Sequence, residues 1–158
     1  MVRICFVCLG NICRSPTAEG VFKARLAARH PDAKVDIDSA GTAGYHIGAP
    51  ADERSRDAAA RRGYELTSRA AQFKPEDFER FSLILAMDRE NLSNLERICP
   101  PSFTGELRLF RDFDSEAEAG AVVPDPYYGG SSGFENVLDI CERSADGLIE
   151  HLESSKLI

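Results

Sequence analysis

Short apolar runs alternate along the chain with longer segments in which apolar residues recur at helical spacing. The short runs predict β-strands, and the longer segments predict amphipathic helices. The predicted strands are residues 4–7, 35–39, 81–87 and 107–110. The predicted helices are residues 16–29, 52–62, 75–80, 88–98 and 134–152. Because strands alternate with helices, we expect an α/β fold: a single-domain, doubly wound, four-stranded parallel sheet with helices on both faces.

The first predicted helix carries boundary signals at both ends. Ser15 is a favourable N-cap, Pro16 is the favoured first helical residue, and Glu19 adds negative charge to the first turn. Pro31 cannot continue the helix, so the helix should end one or two residues earlier.

Length, charge and cysteine content narrow the function classes. The 158 residues are enough for one domain, residues 1–158, and the net charge of −7 argues against general nucleic-acid binding. The apolar run near the start is too short for a signal peptide or a membrane span, so we expect no membrane association. The five cysteines are odd in number and lack zinc-ligand spacing. We therefore expect reduced thiols in the cytoplasm, with no metal and no cofactor.

The most informative segment is residues 8–16, which read Cys-Leu-Gly-Asn-Ile-Cys-Arg-Ser-Pro. Cys8 ends a predicted strand and Ser15 opens a predicted helix, so a six-residue turn lies between them. Such a turn can direct successive backbone N–H groups at one point beside the positive end of the helix. The result would be an anion-binding loop with a thiol at its base and the guanidinium of Arg14 at its rim.

This arrangement suits transfer of a phosphoryl group to sulfur. The reactive form of cysteine is the thiolate, which loop amides, a helix N-terminus, Arg14 and a hydrogen bond from Ser15 would all stabilise. The planar fork of Arg14 can also bind two phosphoryl oxygens. A lone cysteine after a buried strand is usually a core residue, but Gly10 and Asn11 in the same turn favour the functional interpretation.

The loop closely resembles that of the low-molecular-weight protein tyrosine phosphatases. The resemblance implies that Cys8 is the nucleophile and Arg14 the phosphate clamp. It also implies that the remaining loop residues bind the phosphoryl group; they are Leu9, Gly10, Asn11, Ile12, Cys13 and Ser15. Ser39, in a matching Asp-Ser-Ala-Gly string, would support the loop through hydrogen bonds, and the segment after it would place Tyr45 and His46 at the rim of the cleft.

A second motif lies more than a hundred residues away, in the Val-Pro-Asp-Pro-Tyr-Tyr-Gly string at residues 123–129. Two prolines stiffen the backbone around Asp125, as a side chain directed into a cleft requires. The resemblance implies that Asp125 is the general acid and base, and that Tyr127 and Tyr128 form walls for the substrate ring. One departure is Ser68, where many relatives have a histidine beside the loop.

Other polar residues have simpler interpretations. Asp88 follows the third predicted strand and suits a helix N-cap, so it needs no functional role. His30, His46 and His151 lie in contexts typical of the surface, and the resemblance assigns the role of the acid to Asp125 instead. Cys13 lies in the same turn as Cys8, and we hypothesise that peroxide links the two in a reversible disulfide, although Cys13 could equally be a packing residue.

The predicted function is therefore a cytoplasmic protein tyrosine phosphatase. Its substrate would be a phosphotyrosine-containing protein, and a tyrosine kinase is a candidate partner. Three alternatives stay open. An arginine phosphatase resembles this chain but carries threonine at the position of Ile12. An arsenate reductase would need a further cysteine pair, which residues 87–96 lack, and a phosphocysteine carrier would not need Asp125.

Overall fold

The computed structural model describes residues 1–127 and 130–158, and its strands form one parallel sheet. The strands are β1 (Val2–Cys8), β2 (Val35–Gly41), β3 (Leu83–Ala86) and β4 (Glu106–Leu109). Their order across the sheet is β2-β1-β3-β4, and each pair of neighbours is parallel. The helices are α1 (Arg14–Arg29), α2 (Glu53–Arg61), α3 (Arg89–Ile98) and α4 (Ser131–Ser154), with 3₁₀ helices at Pro75–Glu79 and Phe110–Phe113.

Alternate side chains of the central strand enter two separate cores, because successive residues of a strand point to opposite faces. Ile4 and Phe6 pack with residues of α1 and α4, whereas Cys5 and Val7 pack with Leu95 of α3. Both faces of the sheet are therefore covered by helices. The predicted α/β fold with a doubly wound parallel sheet is confirmed.

Several predicted boundaries shift by a few residues. β2 runs two residues beyond the predicted end, because its pairing with β1 continues as far as Cys8 and Gly41. A β-carbon at Gly41 would lie 2.6 Å from the carbonyl oxygen of Leu9, so only glycine allows the end of β2 to pass this close to the loop after β1. β3 is shorter than predicted, because its pairing with β1 covers only residues 83–86.

The predicted start of α1 is wrong. The helix begins at Arg14, and the residue before it, Cys13, makes no capping hydrogen bond through its side chain. Ser15 lies inside the first turn, where its hydroxyl contacts Cys8 and Asn11 instead of capping the helix. The first turn contains no acidic residue, and Glu19 lies beyond it in a buried position.

The strand order defines where a ligand can bind. The chain passes from β1 to β2 on one side and returns to β3 on the other side, so the loops after β1 and β3 diverge at the carboxyl edge of the sheet. In open parallel sheets, this switch point is the usual binding crevice. Within residues 1–127 and 130–158, no helix is long and apolar enough to cross a membrane.

Candidate active site

Cys8 lies at the carboxyl end of β1, and its sulfur is enclosed by the loop that follows. The residue is 2% exposed. The backbone N–H of Asn11 donates a hydrogen bond to Cys8 Sγ at 3.2 Å, and Ser15 Oγ lies 3.0 Å from the same sulfur. A hydroxyl and an amide directed at sulfur stabilise its anionic form, which is the nucleophilic one.

The side chain of Asn11 holds the loop in shape from the inside. Its backbone has a φ of 57°, a left-handed conformation that asparagine tolerates better than most residues. Asn11 Nδ2 lies 2.7 Å from Ser15 Oγ and donates to Ser39 Oγ at 3.0 Å, while Oδ1 accepts from the backbone N–H of Ala71. This backbone donor braces the loop from the segment that contains Ser68, the position at which many of the phosphatases that this sequence resembles have a histidine.

A buried carboxylate extends this network away from the sulfur. Ser39 Oγ donates to Glu19 Oε1 at 2.6 Å, and Lys23 Nζ lies 2.7 Å from Glu19 Oε2. Glu19 is 5% exposed, and a polar group buried to this extent needs such hydrogen-bond partners. Ser39 therefore lies where its predicted supporting role requires. Glu19 was missed as part of the site, because its helical position alone indicates only a first-turn charge.

The guanidinium of Arg14 is held by three groups from distant segments. Nη1 donates to Asp88 Oδ2 at 2.7 Å and to the carbonyl oxygen of Val123 at 3.0 Å, and Nη2 lies 3.8 Å from Asp125 Oδ2. Burial alone would lower the pKa of Arg14, but the nearby Cys8 and Asp88 raise it above its ordinary value. The guanidinium is thus charged and fixed in orientation beside the sulfur.

The interpretation of Asp88 as a simple helix cap was incomplete. Asp88 Oδ1 does accept from the backbone N–H of Asn91 at 2.8 Å, which caps α3. Its other oxygen binds Arg14, so the same carboxylate orients the guanidinium. One signal could have indicated this role: Asp88 follows β3, the strand beside β1, and therefore lies at the same edge of the sheet as Cys8.

Asp125 belongs to a segment that is anchored to the end of β3. The N–H of Val123 donates to the carbonyl oxygen of Met87 at 2.8 Å, and Val123 is fully buried. Two residues later, the chain presents Asp125, whose side chain is 45% exposed. Asp125 Oδ1 accepts from the backbone N–H of Tyr127 at 3.0 Å, which orients the carboxylate at the mouth of the site.

These elements enclose a cleft of about 360 Å³. Its lining residues are Cys8, Leu9, Gly10, Ile12, Cys13, Arg14, Tyr45, His46, Asp125 and Tyr127. The cleft therefore brings together the two sequence motifs. Among the described residues, no group of three or more His, Cys, Asp or Glu side chains is placed to hold a metal ion.

Three of the predicted binding residues are absent from this set of lining residues. Asn11 and Ser15 are not part of the lining, because their buried side chains face the inside of the loop. Tyr128 lies outside the described residues. His46, which the resemblance placed at the rim and whose sequence context is typical of the surface, lines the cleft, and its ring lies 3.0 Å from where a β-carbon at Gly10 would be.

Cys13 shares the cleft with Cys8 but differs from it electrostatically. Burial raises the pKa of Cys13 to about 12, although a hydrogen bond with Ser55 opposes the increase. Cys13 therefore carries its proton at neutral pH.

The chain is similar along nearly its whole length to proteins of one family. The family profile described as low molecular weight phosphotyrosine protein phosphatase matches residues 3–157. A low molecular weight protein-tyrosine-phosphatase of Streptomyces coelicolor is 44% identical over 149 residues, which cover 93% of this chain and 91% of that protein.

Solved structures agree with the sequence comparison. A protein tyrosine phosphatase from Entamoeba histolytica superimposes with a TM-score of 0.92 at 41% identity, over 99% of both chains. The Drosophila arginine phosphatase DARP superimposes with a TM-score of 0.87 at 28% identity, over 94% of this chain and 96% of that one. With a profile match along nearly its whole length and relatives this similar, the chain belongs to the low-molecular-weight phosphotyrosine protein phosphatase family.

Proposed function

We propose that this protein hydrolyses phosphotyrosine in proteins through a cysteinyl-phosphate intermediate. The observation that carries the proposal is the meeting of Cys8, Arg14 and Asp125 in one cleft, although the last lies more than a hundred residues from the first two. A nucleophile, a fixed cation and a carboxyl group are the three parts that the reaction needs.

In the first step, Cys8 Sγ attacks phosphorus and the bond to the tyrosine oxygen breaks. Asp125, protonated, donates its proton to the departing oxygen. Arg14 and the backbone amides of residues 9–15 bind the phosphoryl oxygens, whose negative charge is spread over all three in a loose transition state. The orientation that Asp88 imposes on Arg14 supplies this charge stabilisation in advance.

In the second step, Asp125 is a carboxylate and takes a proton from water. The resulting hydroxide attacks phosphorus, the S–P bond breaks, and inorganic phosphate leaves with Cys8 again a thiolate. Asp125 is then protonated and ready for another substrate. The same residue therefore serves as acid in one step and as base in the next.

The walls of the cleft favour an aromatic phosphoester. Leu9 and Ile12 line the cleft with apolar surface, and Tyr127 adds an aromatic ring to the lining. A phosphoarginine side chain would bring polar N–H groups against Ile12 without a partner, at a cost of about 1–3 kcal/mol. Phosphoserine has a stem too short to bring its phosphate to Cys8 at the base.

The proposal extends to the biological context. One domain, residues 1–158, would act in the cytoplasm on a phosphotyrosine protein, and a tyrosine kinase would supply the substrate. Five free cysteines in residues 1–127 and 130–158 support a reducing compartment.

A substrate panel tests the function directly. Phosphotyrosine, phosphoarginine and phosphoserine peptides are compared for release of phosphate, and arsenate is tested for reduction. We expect kcat/KM for phosphotyrosine to exceed that for phosphoarginine by at least about tenfold. In the Cys8→Ser control, turnover should be lost while vanadate still binds, because the loop is mostly backbone. Equal rates on phosphoarginine would contradict the proposal, as would steady turnover by the control.

The Ile12→Thr variant tests separately whether the apolar wall of the cleft selects the substrate. Threonine removes apolar surface and adds a hydroxyl, so the ratio of kcat/KM between phosphotyrosine and phosphoarginine should fall by about tenfold. The ratio is measured on one preparation, so it does not depend on the fraction of folded enzyme. An unchanged ratio would show that Ile12 does not select the substrate.

A further inference from the structure

Arg54, in the first turn of α2, lies between two aromatic rings at the edge of the cleft. Its guanidinium carbon is 5.2 Å from the ring centre of Tyr127 and 4.9 Å from that of Phe134. Both distances are within the range of cation–π attraction. Tyr127 lines the cleft, whereas Phe134 is buried in the core as part of α4. Arg54 therefore joins a partly buried aromatic residue of the cleft wall to a buried aromatic residue of the core.

The guanidinium of Arg54 is also held by the carboxylate of Asp52. Asp52 Oδ1 accepts from Arg54 Nε at 3.1 Å, and Asp52 Oδ2 accepts from Nη2 at 3.2 Å, which forms a two-pronged pair. Asp52 itself is attached to the catalytic loop, because its backbone N–H donates to the carbonyl oxygen of Ile12 at 2.8 Å. Asp52 thus fixes the position of the Arg54 guanidinium relative to the loop that contains Cys8.

The contact between Arg54 and Tyr127 also affects Asp125. The backbone N–H of Tyr127 donates to Asp125 Oδ1, so the placement of Tyr127 affects the direction of the carboxylate. We propose that Arg54 is a positioning residue, an inference that rests on the function proposed for this cleft. It holds the Tyr127 segment against α2 and α4, so that Asp125 faces the leaving oxygen above Cys8.

The chemistry of arginine suits this role better than that of lysine. A planar guanidinium can stack on a ring while its edge forms two parallel hydrogen bonds with a carboxylate, and an ammonium cannot do both. The side chain of Arg54 is 48% exposed, so burial does not fix its orientation, which depends on Asp52 and on the two rings.

Leaving-group dependence tests the proposal. In the Arg54→Gln variant, we expect kcat/KM for phenyl phosphate to fall by about tenfold, because its poor leaving group needs a proton from Asp125. The value for 2,4-dinitrophenyl phosphate should fall much less, since that leaving group departs without a proton. Arg54→Lys should resemble Arg54→Gln. The ratio of the two substrates is independent of how much of the variant folds.

Two further variants separate the possible outcomes. Arg61→Gln removes the same charge from the same helix, where Arg61 is paired with Glu135, and should keep the wild-type ratio. In an Asp125→Asn background, adding Arg54→Gln should change kcat/KM little, because both act through one group.

Equal losses on both substrates, or multiplicative losses in the double variant, would overturn the positioning role. A wild-type protein that hydrolyses neither ester would overturn the proposed function as well. Active wild type with an unaffected Arg54→Gln variant would overturn only this inference.

Discussion

The two terminal nitrogens of the Arg14 guanidinium have different partners, and only one of them is used to hold the side chain in place. Nη1 is used by Asp88 and by the carbonyl oxygen of Val123, whereas Nη2 faces Asp125 across the cleft. Because the residue is 3% exposed, the guanidinium has little water to compete for its donors. A buried cation with a fixed fork can bind a phosphoryl group without reorganising, which is how preorganised charge lowers a barrier.

A pair of variants at Asp88 separates its two roles. Asparagine caps a helix as well as aspartate does, so Asp88→Asn should preserve α3 while losing the charged bond to Arg14. We expect its kcat/KM to fall by about ten- to a hundredfold, the worth of one charged hydrogen bond. Asp88→Ala should in addition lose about 1 kcal/mol of unfolding free energy, measured in urea. Wild-type kinetics in Asp88→Asn would restore the interpretation of Asp88 as a cap alone.

The acid role of Asp125 is also testable at a single position. Asp125→Asn should slow aryl-phosphate hydrolysis by about 10²–10⁴-fold, the usual contribution of a general acid or base. The loss in kcat/KM should shrink for leaving groups that are themselves acidic, because they depart unprotonated. Identical losses over a series of substituted phenyl phosphates would mean that Asp125 only shapes its segment.

At the scale of elements, the loop between β1 and α1 depends on side chains as well as on backbone. Asn11 binds Ser15, Ser39 and the backbone of Ala71, so the loop is tied to α1, to the end of β2 and to the segment before β3. This explains why Asn11 and Ser15 do not line the cleft although they belong to the loop. Their side chains maintain the curvature with which backbone amides can surround an anion.

The same loop places two thiols together, and we predict a reversible disulfide between them. Peroxide should oxidise the thiolate of Cys8 to a sulfenic acid, and the thiol of Cys13 should then displace water from that sulfur to form the disulfide. Reducing thiol should restore activity, and peptide mapping should identify the linked pair.

In Cys13→Ser, the same treatment should inactivate the enzyme irreversibly, whereas Cys99→Ser should behave as wild type. Recovery of activity in Cys13→Ser would exclude the disulfide as the protective species.

At the scale of the whole molecule, Asp114 attaches the segment that leads to Asp125. Its side chain is fully buried and pairs with Arg111 and with Arg143 of α4, each at 3.0 Å. Arg111 Nη1 in turn donates to the carbonyl oxygen of Val122. The segment that leads to Asp125 is therefore fastened to the C-terminal helix by charged hydrogen bonds whose residues do not line the cleft.

This attachment predicts a pH dependence of stability. Burial alone would raise the pKa of Asp114. Hydrogen bonds from the Arg143 side chain, from the backbone N–H of Glu116 and from the Arg111 side chain instead lower that pKa below its ordinary value. A carboxyl whose pKa is lower in the folded state stabilises the protein above its unfolded pKa of about 3.9. That stability is lost as the pH falls through the folded value.

Asp114→Asn should therefore reduce the free energy of unfolding at pH 7 by about 2 kcal/mol. The difference from wild type should diminish below about pH 4. Urea unfolding at both pH values measures this, with Asp112→Asn as the control, because Asp112 has a side chain that is 31% exposed. A difference that persists undiminished in acid would show that Asp114 contributes by packing alone.

The sequence by itself determined the features that depend on neighbouring residues. Apolar periodicity predicted the order of strands and helices, and nine residues from Cys8 to Pro16 contained the proposed nucleophile, the proposed phosphate-binding cation and the loop between them. These features were predictable because a loop between a strand and a helix is shaped by short-range sterics and by its own amides.

Only the tertiary structure decided which distant groups meet at the loop. The sheet order brings Asp88 to Arg14, seventy-four positions away, and the anchoring of Val123 brings Asp125 to the same guanidinium. The contacts that Asp88, Glu19 and Arg54 make were not predicted, because a cap, a first-turn charge and a surface cation look the same in sequence whatever lies opposite them. What distinguishes them is the burial and the partner that the fold provides.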